Sequence, residues 1–378
     1  MIKLNHFLEG IKDANISFIT GVPDSLLKDI CGYIADNSDK FEHIIATNEG
    51  SAVGLAIGNY LATSNVPLVY MQNSGLGNII NPITSLADPQ VYGIPMVLMI
   101  GWRGEIDING NQLKDEPQHK KQGQITLSQL EILDIPYLII DHTTRKINKV
   151  LKDMVLSAKE RSGPIALVVR KKTFENYKYK RTIQKIKLPS REEVINEVLL
   201  HIPKKSPVIS TTGVASRELY EIRDKLNLSH DSDFLTVGGM GHASQIASGI
   251  AISSSDRKVF CIDGDGATLM HMGSLAINAD QNNLIHILIN NCAHDSVGGQ
   301  PTKGDSLNFS KIAKEFGYRY CFKVDQLDEI GAILDEGLAK EGSLFIEILC
   351  MPGFRSDLGR PNKSPKENKK SLIKFLKK

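Results

Sequence analysis

The stretch IDGDGATLMHMGSLAINADQNNLIHILINNCAHDSVGGQPT, residues 262–302, places polar residues directly after two apolar runs. Residues 259–262 predict one strand, and Asp265 follows it closely. Residues 285–289 predict the next strand, which leads to Asn291. Because the carboxyl ends of neighbouring parallel strands meet at one edge of a sheet, we expect the two side chains to lie close together. Their oxygens suit Mg²⁺, which commonly shares its ligand shell with phosphates.

The glycines on either side of Asp265 predict a close approach of backbone to ligand. Gly264 and Gly266 have no Cβ, so a phosphate can come near, and a helix predicted at 267–275 would present free N–H groups to an anion. The alternative is a pair of ordinary turns, in which Gly, Asp and Asn are all common. A dinucleotide fingerprint is disfavoured because Leu269 stands where a third glycine is needed, and no P-loop pattern occurs.

The rest of the chain alternates short apolar runs with helical patterns, which is typical of an α/β fold with parallel sheets. The other predicted strands are residues 17–19, 43–46, 68–71, 96–100, 137–140, 166–169, 208–210, 234–237 and 344–349. A basic, polar segment at 172–189 predicts a linker, and Ser190 with Glu193 predicts a capping box that starts a new helix. We therefore expect two doubly wound parallel-sheet domains, 1–171 and 190–378, with no third, central domain.

Composition restricts the class of protein. The chain has 378 residues and a net charge of +2, which gives no indication of a nucleic-acid partner. Its five cysteines are scattered and form no C-x-x-C, which favours a reducing compartment. The longest apolar run, at 94–100, is too short to span a bilayer, so no membrane partner is expected. These features predict a cytoplasmic protein.

The opening stretch resembles the diphosphate- and magnesium-binding motif of the thiamine diphosphate enzymes. The resemblance implies that the carboxylate of Asp265, the amide of Asn291 and the backbone carbonyl of Ala293 ligate Mg²⁺. It also implies that Gly264 and Gly266 lie against the diphosphate. The fold implied is a diphosphate-binding domain at 190–378 and a pyrimidine-binding domain at 1–171.

Two further segments match what this family requires. In HIIATNEGSAVGLAIGNYLA, residues 43–62, Glu49 stands where the family has the glutamate that activates the aminopyrimidine ring; the alternative is a helix cap favoured by the dipole. In TVGGMGHASQIASGIAI, residues 236–252, the resemblance implies that the carbonyl of Gly238 binds the 4′-amino group and that Met240 supports the coenzyme. The alternative for Met240 is core packing.

Within this family, the chain resembles the compact phosphonopyruvate and sulfopyruvate decarboxylases over nearly its whole length. The segments TGVPDSLLK (20–28), DEPQHKKQG (115–123) and AHDSVGGQPT (293–302) carry the resemblance. The implied activity is a carboxy-lyase that uses thiamine diphosphate and Mg²⁺ to convert 3-phosphonopyruvate to phosphonoacetaldehyde and CO₂ in phosphonate biosynthesis. Cys292, at a position where we expect Gly, and the pair Lys120-Lys121 depart from the pattern.

Several residues are candidates for handling the substrate. His119 and His294 can exchange protons near pH 7, and Asp24 and Ser25 follow a predicted strand end where substrate can bind together with His119. For each histidine a purely structural role remains an alternative. Candidate contacts for the phosphonate group are basic residues: Arg217, Lys303, Arg355 and Arg360.

The resemblance leaves the substrate and the assembly open. Sulfopyruvate or another anionic 2-oxo acid is an alternative substrate, and a carboligase (a transferase) is an alternative activity. A thiamine-binding module without activity is disfavoured because Glu49, Asp265 and Asn291 are all present. The family also implies a homo-oligomer, at least a dimer, whose active sites are shared between subunits; a dimer and a higher oligomer are not distinguished.

Overall fold

The computed structural model describes residues 1–180 and 187–378. The chain divides into two compact units, Met1–Thr182 and Ile183–Lys378. The predicted linker at 172–189 spans this division, and its residues 181–186 lie outside the described residues. The exact domain boundaries therefore stay a prediction.

The first unit is built on a six-stranded parallel sheet with the order β2-β1-β3-β4-β6-β5. Its strands are β1 (Phe18–Gly21), β2 (Glu42–Ile45), β3 (Leu68–Gln72), β4 (Met96–Gly101), β5 (Tyr137–Ile140) and β6 (Pro164–Val169). The central strands β3, β4 and β6 are almost fully buried, as expected for a parallel sheet covered on both faces.

Helices cover both faces of this sheet. They are α1 (Leu4–Asp13), α2 (Lys28–Asp36), α3 (Glu49–Thr63), α4 (Leu76–Pro82), α5 (Pro117–Ile132) and α6 (Ile147–Arg161), with short 3₁₀ turns at Ser38–Lys40 and Asn73–Gly75 and a π-helical turn at Ile83–Ala87. One core cluster joins the sheet to α1, α2 and α6, and the other joins it to α3, α4 and α5. The sheet is therefore doubly wound.

The second unit contains another six-stranded parallel sheet, with the order β11-β12-β10-β9-β7-β8. Its strands are β7 (Val208–Ser210), β8 (Asp233–Leu235), β9 (Val259–Gly264), β10 (Leu284–Asn290), β11 (Tyr320–Val324) and β12 (Leu344–Leu349). If the six strands of this unit are numbered 1 to 6 along the chain and the sheet is read from β8, the order is 2-1-3-4-6-5. This is also the strand order of the first unit. The two units thus share one topology although their sequences show no repeat.

Helices again cover both faces. They are α7 (Arg191–Leu200), α8 (Val214–Lys225), α9 (Ala243–Ser253), α10 (Asp265–Met270), α11 (Leu275–Ala279), α12 (Phe309–Glu315), α13 (Leu327–Leu338) and α14 (Pro365–Leu376), with 3₁₀ turns at Met272–Ser274 and Asp295–Val297. Helices α7, α8 and α13 share one core cluster, and α9, α11 and α12 pack on the opposite face. The predicted α/β class and the absence of a third, central domain are confirmed for the described residues.

The structure corrects two details of the predicted elements. The helix predicted at 267–275 is wrong: α10 ends at Met270, because His271 leaves the helical conformation (φ −136°, ψ 46°) and its ring lies 4.6 Å from that of His242. Strand β11 was not predicted. By contrast, α7 begins after Ser190 with the predicted capping box to Glu193.

Among residues 1–180 and 187–378, no helix combines the length and the apolar content needed to cross a bilayer.

Candidate active site

In the first unit, Glu49 lies beyond the carboxyl end of β2, at the first position of α3. Asn48 caps this helix, since its side chain accepts a hydrogen bond from the backbone N–H of Ser51 over 2.8 Å. Glu49 itself is only 6% exposed. The alternative role of a helix cap is thus already filled by the neighbouring residue, and the Glu49 carboxylate is directed to other contacts.

Two residues of the segment after β3 hold the Glu49 side chain. Asn78 Nδ2 donates a hydrogen bond to Glu49 Oε2 over 2.7 Å. Gly75 lies so close that an added Cβ would stand 2.6 Å from both Cγ and Oε1 of Glu49. Any larger residue at position 75 would therefore displace the carboxylate. The sequence prediction included neither Asn78 nor Gly75.

A second group of side chains lies beyond β1, β3 and β4 of the same sheet, and Arg103 connects its members. Asn73 binds the backbone of Arg103 twice, through its amide nitrogen to the carbonyl (2.9 Å) and through its amide oxygen to the N–H (3.2 Å). The guanidinium donates to both carboxylate oxygens of Asp115, and Nη1 donates to Ser25 Oγ over 2.5 Å. Because β1, β3 and β4 are adjacent, their ends bring these residues together.

His119 belongs to the same group. Its Nδ1 lies 3.0 Å from Asp115 Oδ1. Burial alone would raise the pKa of Asp115, but the hydrogen bonds from Arg103 and His119 hold that pKa well below its usual range. Asp115 is therefore an acceptor, so Nδ1 of His119 carries the proton and Nε2 of the neutral ring is the basic nitrogen. Burial lowers the pKa of His119, which keeps the ring neutral near pH 7.

Asp24 lies beneath this group and is 1% exposed. Burial raises its pKa to about 6, and its Oδ2 accepts a hydrogen bond from the N–H of Leu27 over 3.1 Å. Gly101 approaches so closely that a Cβ there would stand 2.1 Å from Asp24 Oδ2. The structure thus brings Asp24, Ser25 and His119 to one edge of the sheet, while Lys120 and Lys121 are exposed on α5.

In the second unit, Asp265 and Asn291 follow the adjacent strands β9 and β10. Gly264 pairs with Ile289, so the residues after them lie side by side at the carboxyl edge. Both side chains are buried, at 2% and 6% exposure. The parallel register of β9 and β10 thus places the two strand ends next to each other, as the sequence predicts.

Burial raises the pKa of Asp265 to about 7. Thr302 donates a hydrogen bond to its Oδ2, and a Cβ on Gly304 would stand 2.5 Å from the same oxygen. A buried carboxylate of this kind is stabilised in its charged form by a nearby cation. The oxygen donors of Asp265 and Asn291 therefore fit a hard ion such as Mg²⁺. The sequence prediction missed Thr302 and Gly304, which lie in the quoted stretch or just after it.

The two asparagines of the Asn290-Asn291 pair have different environments. Asn290 donates hydrogen bonds to Glu347 Oε1 and to the carbonyl of Gly304, each over 3.0 Å, so its amide ties the loop to the sheet. Asn291 donates from Nδ2 to Asp295 Oδ2 over 2.6 Å, and its Oδ1 accepts the N–H of Ala293 at 3.3 Å. Asn291, which the resemblance implies as a metal ligand, is therefore the asparagine whose amide is oriented by a neighbouring carboxylate.

Asp295 is itself held by a buried cation. Arg191 donates from Nη1 to Asp295 Oδ2 over 3.0 Å and from Nε to Glu218 Oε2 over 2.7 Å. The N–H of Gly353 donates to the same Asp295 oxygen over 2.8 Å. Groups that orient a metal ligand in this way commonly affect metal affinity. Asp295 lies in the quoted stretch 262–302 but was given no role there, and nothing in the sequence singled out Arg191.

The predicted coenzyme residues around Gly266 also come together. A Cβ on Gly266 would stand 3.0 Å from Cε1 of His294 and 3.3 Å from Cε of Met240, whereas one on Gly264 would meet nothing within 4 Å. Burial lowers the pKa of His294 to about 4, so the ring is neutral near pH 7. Gly238 and Met240 are half-buried rather than part of the core. Gly266 therefore has a neutral imidazole and a thioether as its immediate neighbours.

Two of the four basic residues predicted to contact a phosphonate, Arg217 and Arg355, bind other parts of the second unit. Lys303 and Arg360 are exposed. Arg217 donates from Nε to the carbonyl of Gly359 over 2.6 Å. Arg355 forms an ion pair with Glu192, with 3.0 Å between Nε and Oε2, and another with Glu221. These two arginines join segments of the second unit, so their contacts indicate a structural role.

Family models match both units. A thiamine pyrophosphate enzyme N-terminal TPP-binding domain matches residues 4–130, and the corresponding C-terminal TPP-binding domain matches residues 211–348.

Curated relatives match along the whole chain. The chain is 32% identical to a phosphonopyruvate decarboxylase of Streptomyces viridochromogenes, with 100% of this chain and 95% of the relative covered. It is 31% identical to a phosphonopyruvate decarboxylase of Streptomyces hygroscopicus (99% and 94% covered). A sulfopyruvate decarboxylase of Methanosarcina acetivorans is 26% identical (98% and 96% covered). The chain therefore belongs to the thiamine pyrophosphate enzyme family, in the decarboxylase group that includes the phosphonopyruvate decarboxylases.

Proposed function

We propose that this protein decarboxylates 3-phosphonopyruvate to phosphonoacetaldehyde and CO₂, using thiamine diphosphate and Mg²⁺. The observation that carries the proposal is the similarity to phosphonopyruvate decarboxylases over the full length of the chain. It is supported by the hydrogen bond that holds the Glu49 carboxylate and by the pairing of β9 with β10, which brings Asp265 and Asn291 to one edge of the sheet. The reaction would serve phosphonate biosynthesis. The five free cysteines agree with a cytoplasmic location.

The residues present fit the two cofactors. Asp265, Asn291 and the carbonyl of Ala293 would hold Mg²⁺, while Gly264 and Gly266 would lie against the diphosphate. Gly238 and Met240 would position the aminopyrimidine, and Glu49 would bind its ring nitrogen. When bound, the coenzyme supplies the electron sink that makes loss of CO₂ from a 2-oxo acid feasible.

The chain's own residues would bind the substrate and move protons. Asp24, Ser25 and His119 form one group in the first unit, in which Nε2 of His119 is the basic nitrogen. His294 is a second neutral imidazole, next to Gly266 in the diphosphate half-site. A neutral imidazole near pH 7 can accept a proton and return it in a later step.

The same proposal covers domains and assembly. Residues 1–171 would form the pyrimidine-binding domain, 172–189 the linker and 190–378 the diphosphate-binding domain. We further propose a homo-oligomer, at least a dimer, in which Glu49 of one subunit completes the site of another. This assembly follows from the family resemblance, and size-exclusion chromatography with light scattering would test it.

The deciding experiment measures release of phosphonoacetaldehyde from phosphonopyruvate, with thiamine diphosphate and Mg²⁺ present or omitted. Sulfopyruvate and pyruvate are assayed beside it. Turnover of phosphonopyruvate that requires both cofactors is the expected result. Faster turnover of sulfopyruvate than of phosphonopyruvate would indicate that sulfopyruvate is the substrate. A ketol product formed with added aldehyde would favour a carboligase. Coenzyme binding without turnover of any of these 2-oxo acids would reject the proposal.

A further inference from the structure

Arg103 is the cation of the substrate-side group in the first unit, and its orientation is fixed. Its Nε and Nη2 donate to the two oxygens of Asp115, over 2.9 Å and 2.5 Å. This paired geometry is the strongest arrangement for a guanidinium and a carboxylate. The side chain is 20% exposed, so it is largely desolvated and yet reachable.

The third nitrogen of the Arg103 guanidinium, Nη1, does not contact Asp115 and points to a predicted substrate residue, Ser25. Nη1 donates to Ser25 Oγ, and each terminal nitrogen of a guanidinium carries a second N–H. The second N–H groups of Arg103 can therefore donate to the oxygens of one tetrahedral anion. Ser25 Oγ donates to Asp24 Oδ1 over 3.5 Å, and its hydroxyl can rotate to donate to the same anion. The planar set of donors on Arg103 suits a phosphonate or sulfonate group better than the single ammonium of a lysine does.

Short connections link Arg103 to the residue proposed to activate the coenzyme. Asn73 holds the backbone of Arg103 through two hydrogen bonds. Asn73 also begins the 3₁₀ turn Asn73–Gly75, and Gly75 packs directly against Glu49. The guanidinium and the Glu49 carboxylate thus belong to one continuous set of contacts along the carboxyl edge of the sheet.

The chemistry of decarboxylation indicates which anion a cation should hold. The substrate carboxylate loses its charge as CO₂ leaves, so a cation bound to it would stabilise the ground state more than the transition state. A second acid group, by contrast, keeps its charge throughout. A fixed guanidinium bound to that permanent anion keeps its interaction throughout the reaction, so it raises kcat/KM without opposing the loss of CO₂.

We propose that Arg103, with Ser25, forms the subsite for the second acid group of the substrate, a phosphonate or sulfonate. The inference rests on the proposed function, since it assigns a residue to the substrate that function names. Arg103 takes the role that the sequence suggested for Arg217 and Arg355, whose side chains bind other parts of the second unit. Arg103 would then be the residue that selects 2-oxo acids with a second anionic group.

The test compares Arg103→Met and Arg103→Lys with wild type on phosphonopyruvate, sulfopyruvate and pyruvate. The methionine variant should lose about 100-fold in kcat/KM on the two dianionic substrates, and lysine should restore part of it. Pyruvate, which has no second acid group, should change less than about threefold. Thiamine diphosphate and Mg²⁺ affinity by calorimetry should stay the same, because the side-chain partners of Arg103, Asp115 and Ser25, are not among the residues assigned to the cofactors.

Arg170 provides a matched control. It follows the neighbouring strand β6, pairs with Glu105 at 3.6 Å and has the same 20% side-chain exposure. Arg170→Met should leave the substrate preference unchanged. The inference is overturned if Arg103→Met lowers turnover of pyruvate and phosphonopyruvate equally, which would indicate a structural role, or if it leaves phosphonopyruvate turnover unchanged.

A binding assay separates this inference from the proposed function. If wild type turns over none of the three 2-oxo acids, the proposed function fails, and calorimetry with methylphosphonate then tests the subsite directly. Binding that Arg103→Met abolishes and Arg170→Met retains supports an anion subsite in a protein with another activity. Equal binding by both variants, or none by folded wild type, overturns the subsite.

Discussion

The amide nitrogen of Asn291 donates a hydrogen bond to Asp295 Oδ2 over 2.6 Å. This bond fixes the orientation of the amide and leaves its oxygen, Oδ1, as the atom that can bind a metal. Asp295 is in turn held by Arg191. The proposed metal ligand is thus oriented by a carboxylate of the same stretch, Asp295, and by the buried guanidinium of Arg191, which is distant in the chain.

Replacing Asp295 should therefore weaken Mg²⁺ binding. In Asp295→Ala, the Asn291 amide loses the acceptor that orients it, and we expect the Mg²⁺ concentration for half-maximal activity to rise about 10–100-fold. Calorimetric titration of Mg²⁺ with thiamine diphosphate present gives an independent reading. Asp325→Ala, at an exposed position after β11, is the control. An unchanged Mg²⁺ requirement would show that Asp295 does not orient the ligand.

Glu49→Gln should bind the coenzyme and lose turnover. Glutamine keeps the size of the side chain and the contact with Asn78, but it cannot exchange a proton as a carboxylate does. We expect kcat to fall at least about 100-fold, with coenzyme affinity by calorimetry within about threefold. Glu42→Gln, on the exposed first position of β2, should behave as wild type. Full turnover by Glu49→Gln would refute the assigned role.

Gly75→Ala tests the position of the Glu49 carboxylate without changing its chemistry. The new methyl group would stand 2.6 Å from Glu49 Cγ, so the side chain must move. Because small displacements of catalytic groups have large effects, we expect kcat to fall about 10–100-fold while the fold is kept. Gly77→Ala is the matched control, since a Cβ there meets nothing within 4 Å. Equal activity of the two variants would contradict the close packing at position 75.

The buried carboxyl of Asp24 should make stability depend on pH. Its pKa is raised to about 6 by burial, so the folded state binds this proton more tightly than the unfolded state. The stabilisation is complete below the unfolded pKa of 3.8 and is lost as pH rises through about 6. At pH 8 the charged carboxylate costs up to about 3 kcal/mol relative to a neutral group.

Asp24→Asn removes this charge and keeps an acceptor for the N–H of Leu27. Its free energy of unfolding relative to wild type should therefore rise between about pH 4 and pH 7 and stay level above that, as measured by urea denaturation at each pH. Asp39→Asn, at an exposed position, should show no such trend. A constant difference across the pH range would mean that Asp24 is not desolvated in the folded protein.

Cys292→Gly should stabilise the protein. Cys292 has φ 54°, a left-handed conformation that costs a residue with a side chain about 1–2 kcal/mol. Part of that gain is offset because glycine loses more conformational freedom on folding, so we expect a net increase of about 0.5–1 kcal/mol in the free energy of unfolding. Asn227→Gly, at φ 52°, should gain less, because asparagine tolerates this conformation. A loss of stability in Cys292→Gly would mean that the thiol contact with Asn290 is worth more than the strain.

The buried parts of the fold could be predicted from the sequence, because a central strand such as β10 is one uninterrupted apolar run. Strand β11 could not, since it lies at the edge of its sheet, is only half-buried and includes the exposed Lys323. Asp265 and Asn291 could be predicted from the sequence, because each follows a strand within one short stretch. Arg103, Asp115 and Arg191 were not, because their contacts join segments that are distant in the chain and only the folded structure brings together.

The strand order common to both units places these residues in corresponding positions. Counted within its own unit, the third strand is followed by Asn73 in the first and by Asp265 in the second, while the fourth strand is followed closely by Arg103 and by Asn291. The same pair of strand ends thus carries oxygen donors suited to a cation in the second unit and, by our inference, a cationic side chain for an anion in the first.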